Sequence, residues 1–329
     1  METNKEKKKK KRFNLFDSQR EGKGVEKGEV KDPNFKNFFK YFGRSFTRLL
    51  SVNLMFTFFC LPLLFALFAM AGYLDNNAPV ALYPLANVLE GLMLHGEYTP
   101  VTLSLYGVYG IPYGTASQIS VGSVVLYALS AIVVLTWGFA NTSMMYNIRN
   151  IQKGEPVYVW ADSFYVIKRN FWQALWIGIL DLGIIALLIY DIYVYSLNTA
   201  SVFYTFMYYL SIFMIVVYAV MRTYIYLMLV TFDLKTFKLI KNAFIFAFAG
   251  LVRNVLALIG VVLVVLINMF LVGILTPLGM MLPFVLTIAV CGYITVYAAY
   301  PKIKEIMIDP YENEDAQAVD QDPEASIEE

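Results

Sequence analysis

The sequence predicts an all-α integral membrane protein of six transmembrane helices, with in-plane amphipathic helices on the cytoplasmic side. Three observations predict it. The 329 residues are 58% apolar and only 16% charged, against about half and a quarter in a soluble domain. The apolar residues gather in six runs, Leu49–Tyr73, Val121–Met145, Phe171–Tyr195, Val202–Thr231, Val255–Leu275 and Leu282–Tyr300. Each matches or approaches the roughly 20 residues that cross about 30 Å of hydrocarbon. Threading the chain through these runs leaves every Lys and Arg except Arg222 on one side. Cations resist translocation, so that side is read as cytoplasmic, and both termini fall on it.

Residues 1–31 read as a disordered basic arm containing the run Lys7–Arg12. Such a run suits anionic lipid, nucleic acid or a solvated tail that sets topology. With a span forty residues downstream, lipid is favoured over nucleic acid, and no nucleic-acid partner is expected. Residues 306–329 read as a disordered acidic tail, because no basic residue follows Lys304. Between them, 32–305 form the membrane domain. No signal peptide is expected, since the first apolar run begins only near Leu49.

Asp32 and Pro33 are suited to start a helix. Phe35, Phe38, Phe39, Phe42 and Phe46 follow at helical spacing, while Lys36, Lys40, Arg44 and Arg48 recur every four residues. This predicts an amphipathic helix in the headgroup plane that leads into the first span, its phenylalanines in the acyl boundary and its cations among phosphates. Pro62 predicts a kink within that span. Phe164-x-x-Ile167-Lys168 precedes the third span and Phe237-x-x-Ile240-Lys241 precedes the fifth. These matches predict that an in-plane helix, a span outward and a span back recur as three parallel repeats, the alternative being a chance recurrence of a short motif. The first copy carries an expanded outer segment, 74–120, rich in tyrosine and without a cation. Within it Leu82–Leu94 is too short to span and predicts an interfacial or re-entrant helix.

Charges inside spans are the sharpest local signal, because each is costly unless paired. Asp181 and Arg222 both fall about 14 Å from the inner face on consecutive antiparallel spans, so an ion pair is expected. Asp191 falls two turns or more further out. The pair has two readings, a polar site for a solute or proton and a buried lock that fixes helix register. Asn53, Asn141 and Asn147 could join either as a polar network. Cys60 and Cys291 lie in spans, with no metal-ligand spacing. A single histidine, His95, excludes multi-His metal centres. No nucleophile elbow or phosphate loop is present. No cofactor and no catalytic residue is therefore expected.

The stretches Gly138-Phe139-Ala140-Asn141-Thr142, Tyr146-Asn147-Ile148-Arg149-Asn150, Asp162-Ser163-Phe164 and Lys168-Arg169-Asn170-Phe171-Trp172-Gln173-Ala174 resemble the YesL family of bacterial membrane proteins. Tyr190-Asp191, and Asn53-Leu54 followed by Leu61-Pro62, are similar as well. That family is itself a domain of unknown function. The resemblance implies a multi-pass plasma-membrane protein of Gram-positive bacteria, often encoded near carbohydrate uptake systems. It implies no activity and no catalytic residues. The outer segment 74–120 departs from it. The expected function is a non-enzymatic accessory or scaffold protein with the lipid bilayer and a sugar transporter complex as partners. The alternative is a small-solute transporter or channel with Asp181, Arg222 and Asp191 along its path.

Overall fold

The computed structural model describes residues 34–81, 88–89, 91–92, 95–96, 99–110, 113–197 and 201–311. The basic arm 1–31, the Asp32–Pro33 start signal and the acidic tail beyond 311 lie outside the described residues. So do the loop around Asn198 and most of the helix expected over 82–94; its described residues, 88–89 and 91–92, are helical.

Among the described residues, twelve α-helices have defined bounds. The first four of the bundle are α1 (Phe35–Phe59), α2 (Pro62–Met70), α4 (Val121–Ser130) and α5 (Val133–Lys153), with the short α3 (Pro100–Leu105) in the outer segment. Then come α6 (Val159–Arg169), α7 (Phe171–Ser196), α8 (Val202–Thr231), α9 (Thr236–Ala249) and α10 (Leu251–Ile274). The last are α11 (Thr276–Leu282), a π-helical turn at Pro283–Thr287, and α12 (Ile288–Met307). Among the described residues, five helical stretches are long and apolar enough to cross a membrane: Val121–Lys153, Phe171–Ser196, Val202–Thr231, Leu251–Ile274 and Thr276–Tyr311. The pair α1–α2, bent by 64°, meets the same criteria when its two helices are taken together, and the number rises to six if it is one span. The protein is a multi-pass helical membrane protein.

Two boundaries differ from the sequence reading, each for a local reason. The amphipathic segment and the start of the first apolar run form one unbroken helix, α1. Nothing at Arg48–Leu49 breaks a helix. The bend comes at Cys60–Leu61, where Pro62 cannot donate to the carbonyl of Phe58. The second apolar run continues as helix past Met145 to Lys153 and stops at Gly154, whose left-handed backbone (φ 74°) ends helices. Arg149 therefore lies within a helix and not in a loop. The outer segment also contains a two-stranded antiparallel ribbon, β1 (Asn76–Ala81) with β2 (Tyr113–Gln118), paired Asn76 to Gln118. Its strands lack the alternating apolar pattern that would have announced them.

Helix α5 is the hub and packs on α1, α6, α7, α8 and α12. It meets α7 where Gly138 faces Gly178 and the carbonyl of Ala174. A Cβ at either glycine would overlap the opposite backbone, so small residues allow the close crossing. The buried core runs through Leu49, Val52, Ile148, Tyr226, Met228, Tyr293 and Ile303. It gathers at the basic end of the bundle. Toward the other end α2 pairs with α4 and α7 with α8, and from 202 to 217 of α8 only Ser211 is buried.

The first and last spans are joined by hydrogen bonds. Pro283 has no N–H for the carbonyl of Gly279, and Asn268 Nδ2 on α10 donates to that carbonyl at 3.1 Å. Side chains of α1 also bond backbone groups in and just after the π-helical turn. Asn53 Nδ2 on α1 donates to Pro283 O at 2.9 Å, Asn53 Oδ1 accepts from the Ala289 amide at 2.8 Å, and Thr57 donates to Phe284 O at 2.9 Å. Near the basic end, Phe38 and Phe42 pack on Tyr293, and Tyr297 donates to Asn34 O.

Candidate functional site: a buried ion-pair node

Asp181 lies on α7 at the point where α5 and α8 converge. Its side chain is 2% exposed. Arg222 Nε on α8 donates to both carboxylate oxygens, at 2.9 and 2.7 Å. Trp137 Nε1 on α5 donates to Oδ2 at 2.8 Å. Tyr218 donates to Oδ1 at 2.7 Å and Tyr226 to Oδ2 at 3.0 Å. A carboxylate has about four lone-pair sites, and these donors fill them.

The guanidinium is held as firmly. Arg222 Nη2 donates to Asn141 Oδ1 at 2.6 Å, and Asn141 Nδ2 donates in turn to Trp137 O at 2.8 Å. Its centre lies 5.3 Å from the Trp137 ring and 5.5 Å from the Tyr226 ring, where the ring quadrupoles favour a cation. The local sequence explains the convergence. Tyr218, Arg222 and Tyr226 are spaced four apart and share one face of α8. Trp137 and Asn141 share one face of α5 in the same way, and the Gly138–Gly178 crossing brings that face within reach of Asp181.

The expected Asp181–Arg222 pair is therefore present, and Asn141 joins it as expected. Asp191 does not. It lies ten residues along α7, about 15 Å away by helical rise. Asn53 serves the π-helical turn instead, and Asn147 donates to Ser163 Oγ at 2.9 Å. Trp137, Tyr218 and Tyr226 were not anticipated; the four-residue ladder around Arg222 is the signal that could have found the two tyrosines.

The residues expected at the membrane surface divide. Phe35 and Phe39 are exposed, as are Lys36, Lys40 and Arg44. Phe38 and Phe42 are half-buried and turn inward onto α12. Arg149 lies beyond the second apolar run, in the part of α5 that continues to Lys153. It is buried, and its Nη1 donates to Val230 O at 2.6 Å, where Arg169 Nη2 also donates at 3.1 Å. Two guanidinium groups thus converge on one carbonyl in the last turn of α8, where the negative end of its dipole lies.

The fold and node define a class: a multi-pass helical membrane protein built around a mid-bundle ion pair. Residues 122–192, spanning α4 to most of α7, match a family described as a protein of unknown function, DUF624. No curated protein matches the chain, and no solved structure does. The matched region contains Trp137, Gly138, Asn141, Gly178 and Asp181, half of the node and both crossing glycines.

Proposed function

We propose that the protein is a non-enzymatic accessory or scaffold protein of the bacterial plasma membrane, with both termini in the cytoplasm, associated with a carbohydrate-uptake transporter. The saturation of Asp181 is the observation that carries this reading. A carboxylate that shuttles protons or binds a solute needs a free lone pair on its route; this one gives all of its acceptor capacity to Arg222, Trp137, Tyr218 and Tyr226. The node then acts as a lock between α5, α7 and α8. The one-sided cations support the orientation, and the YesL resemblance supports the link to sugar uptake. Crosslinking in native membranes tests it: a transporter subunit should be trapped with the protein, and recovery of the protein alone would count against the association.

A solute path is the second reading, favoured by the 24% exposure of the Arg222 side chain. It requires that Asp181→Asn abolish solute flux at unchanged levels of folded protein.

A further inference from the structure

A groove of about 610 Å³ opens at the basic end, between the first turns of α7 and the loop from α8 to α9. That volume lies within the range of small-ligand sites, about 300–1,000 Å³. Trp172 and Trp176 stand one turn apart on α7, 69% and 58% exposed. Opposite them lie Asp233, Leu234, Lys235 and Thr236. Gln173 Nε2 donates to Leu234 O at 2.7 Å and pins the loop to α7. That bond fixes the loop beside the first turn of α7.

Its chemistry is specific. Two indoles are large apolar surfaces with a polar edge, suited to the headgroup level of a bilayer. Asp233 and Lys235 are exposed and two residues apart. Neither side chain takes part in an ion pair or a hydrogen bond among the described residues. The groove thus offers one anion, one cation and two π faces at the end of a membrane-crossing helix. A neutral sugar would stack on the indoles but leave both charges without a counter-charge. An anionic lipid would satisfy Lys235 and be repelled by Asp233. A headgroup with an ammonium and a phosphate satisfies all four residues.

We infer that the groove formed by Trp172, Trp176 and the Asp233–Thr236 loop binds the headgroup of a zwitterionic aminophospholipid such as phosphatidylethanolamine. Asp233 takes the ammonium and Lys235 the phosphate. The indoles flank the ammonium with their π faces and seat the glycerol region. The assignment requires only that α7 cross a bilayer, and it stands or falls independently of the accessory role.

Native mass spectrometry of the full chain in detergent tests it, with phosphatidylethanolamine, phosphatidylglycerol and soluble phosphoethanolamine supplied in equal amounts. Phosphatidylethanolamine should be retained about fivefold over phosphatidylglycerol, the size of one exposed charge or cation–π contact. Asp233→Asn should erase that preference, Asp233→Glu should keep it, and Lys235→Gln should weaken both lipids. Both positions are exposed, so thermal unfolding of the three variants should match the parent and report a misfolded sample if it does not. Equal retention of the two lipids by the parent overturns the inference. So does a preference that survives Asp233→Asn, and so does displacement of the lipid by equimolar phosphoethanolamine, which would make this a site for a soluble zwitterion.

Discussion

Asp181 shows how one residue sets the conditions for its neighbours. Replacing it with Asn leaves Arg222 without its counter-ion, and breaking a buried pair costs about 3–5 kcal/mol. Asp181→Asn should therefore lower the yield of monodisperse protein and its unfolding temperature in detergent, read by fluorescence-detected size exclusion over a thermal ramp. Exchanging the two charges should not rescue it. Trp137, Tyr218 and Tyr226 all donate toward position 181, and a guanidinium there has no lone pair to accept them. A rescue by the double exchange would reduce the node to a bare ion pair. Asn53→Leu should cost about 1–3 kcal/mol, because it strips partners from buried backbone groups of the π-helical turn; the same thermal ramp measures it. At this scale the sequence was half legible. An ionisable residue in an apolar run is conspicuous, so Asp181 and Arg222 stood out. An indole or phenol in such a run is ordinary, and only the folded geometry turns Trp137, Tyr218 and Tyr226 into donors.

Elements meet where side chains are small or where a cap is shared. Gly138→Leu should prevent the close approach of α5 and α7 and so separate Trp137 from Asp181; loss of folded protein like that of Asp181→Asn is the expected result. At the opposite end of the bundle, Asp75 ties α2 to α4. Its carboxylate accepts from the Ser123 hydroxyl at 2.5 Å and from the Ser120 amide at 3.0 Å. These bonds, the hydroxyl first, hold the Asp75 carboxyl below the usual carboxylate range. A depressed folded value means that the tether is fully present at neutral pH and is lost as pH falls through that value. Limited proteolysis of the outer segment should therefore accelerate in acid, and in Asp75→Ala it should be fast already at pH about 7. The apolar runs made the spans legible, and Pro62 made the bend legible. The length of α1 was not, because its amphipathic half and its apolar half share one helical period and no residue marks a boundary. The β1–β2 ribbon was hidden as well, since Asn76–Ala81 and Tyr113–Gln118 carry turn-rich composition in place of strand alternation.

For the molecule as a whole, the sidedness of the cations and the position of the core coincide. Lys and Arg cluster at the end where α1, α5, α8 and α12 pack most tightly, while the other half separates into helical hairpins. If the basic end faces the cytoplasm, a cysteine introduced at Lys153 or Lys238 should resist an impermeant thiol reagent on intact cells, and one at Gly96 should react; the reverse pattern would invert the topology. The clasp between Asn53 and the π-helical turn also has a consequence for biogenesis. Asn53 and its acceptor at Pro283 are 230 residues apart. At about 5–20 residues per second the ribosome needs roughly 10–50 s to make the second partner after the first. Throughout that interval the nascent α1 carries a polar amide with no mate in the bilayer. If Lys36, Lys40 and Arg44 sit at the lipid surface as the sequence predicts, α1 can wait there; otherwise the insertion machinery has to shelter it until the final span arrives.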